Sequence, residues 1–145
     1  MLTFKITSPK KKYTSEDNFQ VNRENTLYLF NELIYWHLSD NAHASHIAID
    51  QNSTKKILFQ NRIIKGQRVQ TLFEADVDFL NPLIGLSMHL TGHPIDPTSF
   101  PDPQNPYGKI RILANRHYFD LMMNAITTPS HSRTLTFTKY DPRMP

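Results

Sequence analysis

Seven histidines stand in this 145-residue chain, and four of them fall into two short runs, His43-x-x-His46 and His89-x-x-x-His93. Imidazole ligates transition metals and, titrating near neutrality, also moves protons. A metal would require His43, His46, His89 and His93 to converge, with Asp50 or Asp96 adding an oxygen ligand. The spacing opposes the simple version of that site. Residues three apart on a strand point to opposite faces, and Gly92 and Pro94 interrupt any helix that would align His89 with His93. No HExxH or comparable fingerprint is present. The alternative chemistry is metal-independent cleavage of a phosphodiester, with His46 and His89 as base and acid. Thr91 and Lys56 or Arg62 would then steady the phosphate charge. Against both stands the plainer reading that these histidines hydrogen-bond backbone groups.

His89-Leu90-Thr91 is similar to one half of the paired H-φ-T/S signature of the two-histidine phosphoesterases. His46-Ile47-Ala48 departs from it, with alanine where that family places a hydroxyl, and no family is assigned on half a signature. Zero cysteines exclude thiol nucleophiles, disulfides and cysteine-bound zinc. With four glycines and no GxGxxG, P-loop or GxSxG run, a phosphate-cradling loop is excluded and no cofactor is expected.

Charge is the other chemical signal. The net charge of +3 conceals an alternation along the chain. Residues 1–12 carry four lysines and no acid, and residues 51–73 carry Lys55, Lys56, Arg62, Lys65 and Arg68 and no acid. Residues 109–145 are again basic, whereas 13–50 and 74–108 are acidic. Basic blocks gathered on one face would hold an anionic partner such as RNA or DNA. Placed beside the acidic blocks, they would merely pair on the surface at about 0–1 kcal/mol each. Rings stand among the bases: Phe59 between Lys56 and Arg62, Phe73 after Arg68, Tyr118 and Phe119 after Arg116, and Phe4, Phe137 and Tyr140 near the termini. Bases stack on such rings while cations hold phosphates.

The elements that must position these groups follow from periodicity. Residues 2–7 alternate apolar and polar as a strand does. Leu27, Phe30, Ile34 and Leu38 recur at spacings of three and four, predicting a helix over 22–38 whose stripe faces the core. Strands are predicted over 45–50, 56–62 and 67–73, the last two joined at Lys65-Gly66 so that Arg62, Lys65 and Arg68 gather at one hairpin tip. Asn81-Pro82 opens a second helix that Gly92 closes. Five prolines in 93–106 dictate an extended loop. A strand over 109–113, a helix capped by Asn115 with Tyr118, Leu121, Met122 and Ala125 on one face, and a strand over 133–140 complete the chain.

This order fits a single α+β domain over 1–140 on a ferredoxin-like βαββαβ plan, with a proline-rich insertion and a loose tail at 141–145. No apolar run is long enough for a membrane span and the start lacks a secretory pattern, so a cytoplasmic location is expected. The leading expectation is a small nucleic-acid-binding protein using Lys55, Lys56, Arg62, Lys65, Arg68 and Arg116, helped by Lys10–Lys12 and Arg111. A metal-independent nuclease or phosphodiesterase using His46 and His89 is the alternative. A third class is an inhibitor or accessory subunit that binds a protein partner through the acidic 74–102 segment.

Overall fold

The structure, a computed structural model, describes residues 2–9, 20–49, 57–92, 107–127 and 133–140. Their elements run β1 (Thr3–Lys5), α1 (Arg23–Ser39), β2 (Ala44–Ile49), β3 (Ile57–Ile64), β4 (Gln67–Asp76), a 3-10 turn (Val77–Phe79), α2 (Leu80–Leu90), β5 (Tyr107–Ala114), β6 (His117–Thr127) and β7 (Arg133–Lys139). All seven strands share one sheet in the order β1-β5-β6-β7-β2-β3-β4. β1 lies parallel to β5 and every other neighbouring pair is antiparallel.

The ferredoxin-like βαββαβ plan is overturned by this sheet. The decisive segment is 117–127, expected as a helix and found as strand β6. Asn115 caps no helix. It forms a two-residue turn with Arg116, both in the left-handed region at φ 50° and 69°, the geometry that joins antiparallel strands tightly. Lys65-Gly66 makes the same kind of turn between β3 and β4, as the sequence predicted. Arg116 bears a side chain where glycine is preferred. Arg116→Gly is therefore expected to stabilise the fold by about 1 kcal/mol in urea denaturation. An unchanged midpoint would show that the turn carries no such strain.

α1 begins where the sequence places it. Asn22 caps it, its Oδ1 accepting a hydrogen bond from the Asn25 backbone at 2.8 Å. Its buried face holds Leu29, Phe30, Leu33, Ile34 and His37, while Leu27 and Leu38 are only half-buried. The expected stripe is thus rotated, and Leu27 leaves the sheet contact. α2 starts at Leu80 rather than at an Asn81 cap, because the 3-10 turn feeds directly into it. Gly92, at φ 81°, closes it in the left-handed conformation.

Both helices cover one face of the sheet. Phe30, Leu33, Leu83 and Ile84 from the helices meet Ile47, Leu58, Ile110, Met123, Ala125, Leu135 and Phe137 from the strands in a single core. Those strand residues alternate with the ones that point away. Among the described residues no element packs on the opposite face. No helix there is long and apolar enough to cross a membrane.

Candidate nucleic-acid interface

The uncovered face is assembled by strand alternation and register. On β5, Ile110 and Ile112 point into the core, so Tyr107, Lys109, Arg111 and Leu113 point out. On β6, Leu121, Met123 and Ala125 point in, which turns Tyr118, Asp120, Met122 and Asn124 outward. Register then places Lys5 and Leu113 beside Tyr118, Thr3 and Arg111 beside Asp120, and Lys109 beside Met122 and Thr138. The result is a patch over β1, β5, β6 and the end of β7 that contains Lys5, Lys109, Arg111, Tyr107, Tyr118 and Tyr140.

Several contacts organise this patch. The Lys109 ammonium lies 5.0 Å from the centre of the Tyr140 ring, and the Arg111 guanidinium lies 5.6 Å from that of Tyr118. Arg111 Nε donates to Asp120 Oδ1 at 3.1 Å, which ties the guanidinium to β6. Among the described residues, Asp120 is the one acid at an outward position of β1, β5, β6 and β7. Tyr107 and Tyr118 are 60% and 64% exposed, so their rings present surface to a stacking partner.

A second row crosses the middle of the same face. Asn124, Thr136, His46 and Asn61 are successive register partners on β6, β7, β2 and β3. His46 Nδ1 shares a hydrogen bond with Thr136 Oγ1 at 3.2 Å. Partial burial, and then the nearby Arg68, lower the His46 pKa from its ordinary 6.5, which favours the neutral ring with one donor and one acceptor nitrogen.

The residues singled out in the sequence do not form one site. Comparison with protein-family models gives no match, and neither does comparison with curated proteins. Arg62 is 8% exposed and points at the helices, donating to the Trp36 carbonyl at 3.4 Å and pairing with Asp40. It neutralises the carboxyl end of α1 instead of joining a basic face. Lys65 and Arg68 are exposed on the β3–β4 hairpin, with Arg68 on the uncovered face near the far edge. Arg116 is exposed at the β5–β6 turn. The two tips share one end of the sheet because β3 and β5 run in the same direction, but β6, β7 and β2 separate them. Lys55, Lys56 and Lys10–Lys12 lie outside the described residues.

The histidine pair is divided by the sheet. His46 stands on the uncovered face, whereas His89 projects from α2 on the helical side and lines a cavity there. One phosphodiester cannot reach both. Among the described residues no group of three or more His, Asp or Glu is placed to hold a metal, and His93 and Asp96 lie outside them. Of the acids in the 74–102 segment, only Asp76 and Asp78 have described side chains. Asp76 caps the 3-10 turn by accepting from the Asp78 backbone at 2.8 Å, Asp78 is exposed, and Asp96 and Asp102 are outside the described residues.

Sequence reasoning missed Lys5, Lys109, Tyr107 and the pairing of Arg111 with Tyr118. The available signal was period two over 117–125. Leu121, Met123 and Ala125 alternate with Asp120, Met122 and Asn124, none of them fully buried, as cleanly as Tyr118, Leu121, Met122 and Ala125 follow a helix.

Proposed function

We propose that this protein binds single-stranded nucleic acid, RNA or DNA, across the uncovered half of its sheet. The observation that carries the reading is the interleaving of Tyr107, Tyr118 and Tyr140 with Lys5, Lys109 and Arg111, where the acid among them, Asp120, is already bound to Arg111. Exposed rings on a flat sheet stack with unpaired bases, and the cations beside them hold the backbone. Bases inside a duplex present no open faces to such rings, so single strands are preferred. The Asn124, Thr136, His46 and Asn61 row supports the same reading, because it offers hydrogen-bond partners for base edges next to the stacking patch.

The test is binding of a fluorescein-labelled single-stranded oligonucleotide, followed by anisotropy over a salt series. Tyr118→Ala is expected to cost about 1–3 kcal/mol of affinity, the usual worth of one base–ring stack. Joint replacement of Lys109 and Arg111 by alanine should weaken binding to all sequences alike. It should also reduce the salt slope by about 0.7 for each phosphate no longer held. Lys65→Ala, at a distant tip, should change affinity far less. No binding by the wild-type chain at about 50 mM salt would sink the reading, since electrostatic attraction is then strong.

A further inference from the structure

A cavity of about 530 Å³ opens between the first turn of α1 and the outward side of α2, on the side of the sheet opposite the tyrosines. That volume lies in the range of small-molecule sites. Val21, Leu27, Pro82 and Leu86 make its walls apolar. Asn22, Thr26, Arg23 and His89 are its polar lining, Arg23 the one cation of fixed charge among them, and among the described residues no Asp or Glu lines it.

Gly85 is the informative residue. It sits in the middle of α2 without a positive φ, and nothing lies within 4 Å of where its Cβ would stand. Neither backbone conformation nor close packing calls for glycine there, although glycine is a poor choice inside a helix. It lines the cavity, and any larger side chain would project into that space. Its absent side chain keeps the space open. Leu27 has the same message from the other wall, as an apolar residue of α1 that the core leaves half-buried.

We infer that the cavity binds a small amphipathic carboxylate, its hydrocarbon chain between α1 and α2 and its head on Arg23. The planar guanidinium fork matches a carboxylate through two parallel hydrogen bonds. The His89 imidazole lines the same cavity from α2 and adds a second nitrogen-bearing side chain to it. A lining with one fixed cation and, among the described residues, no acid suits a monoanion over a cationic amphiphile.

The probes are decanoate and decanol, which share a chain and differ in the head, titrated calorimetrically against the whole protein. Decanoate is expected to bind saturably and at least tenfold more tightly than decanol. Arg23→Gln should erase that preference by weakening decanoate alone. Gly85→Leu should weaken both probes at least tenfold while the circular dichroism spectrum is kept. In the unaltered protein, the backbone amides shifted by decanoate in NMR should cluster at residues 21–27 and 83–89, a result that depends on no variant folding. Absence of saturable decanoate binding, shifts centred elsewhere, or equal losses for both probes in Arg23→Gln would each overturn the assignment.

Discussion

Phe30→Ala is expected to remove about 3–5 kcal/mol of folding free energy. Phe30 has no exposed surface, and its ring meets Phe4 edge-on at 4.7 Å and Phe137 edge-on at 5.9 Å. Those partners belong to the outermost strand and to a central one. Truncation therefore opens a void beneath α1 and also ends two aromatic contacts, each worth about 0.5–1.5 kcal/mol beyond buried area. A domain of this size has only about 5–15 kcal/mol in total, so the variant should lose a large share of its stability. Urea denaturation reads the change directly as a lowered midpoint at constant slope. A loss below about 1 kcal/mol would mean that the core closes around the missing ring, contrary to the close packing of such interiors.

Acid should act on a different place, the seam between α1 and strands β2 and β3. His37 is 2% exposed and shares a 2.6 Å hydrogen bond with Ser45 Oγ. Burial first, and the neighbouring Arg62 guanidinium second, lower its pKa from 6.5 to about 4. In the unfolded chain the ring takes up its proton near 6.5, but in the fold only near 4. Between those values the unfolded state holds more protons, so stability falls as pH falls. The whole contribution, about 3 kcal/mol, is present above about pH 6.5 and lost by about pH 4. Denaturation curves recorded across that window should show the decline, and His37→Asn, which cannot titrate, should flatten it. His46 shifts in the same sense and adds a smaller slope of the same sign. An equally steep decline in His37→Asn would assign the acid response to other groups.

The seam also shows how far the sequence could be read. The helix starting near Asn22 and the Lys65-Gly66 turn were legible because each rests on local chemistry that the fold keeps. Arg62 was not. A basic residue in a basic block suggests a surface, and only tertiary packing brings Asp40 and the end of α1 to it. Residues 117–127 carried both periodicities, and the choice between them depended on a vacant position beside β5 and β7 that no local pattern reveals. The tyrosine patch was lost with that choice, since reading β6 as a helix sends Tyr118 away from Arg111. His46 and His89 were joined by residue type and placement along the chain, neither of which tells which side of a sheet each one takes.

The parallel pairing of β1 with β5 has a consequence for the order in which the molecule is made. Thr3 and Phe4 leave the ribosome long before their partners Arg111 and Ile112 exist. β1, made before the other described strands of this sheet, is thus among the last of them to be placed, and it waits through the closing of a loop of about a hundred residues. Until then Phe30 lacks the Phe4 ring, and Phe137 is later still. The amino-terminal half, α1 with β2, β3 and β4, emerges as a meander with its apolar underside incomplete. Its final cover arrives only with strands β5, β6 and β7, so this half of the sheet cannot bury its apolar side until they have been made.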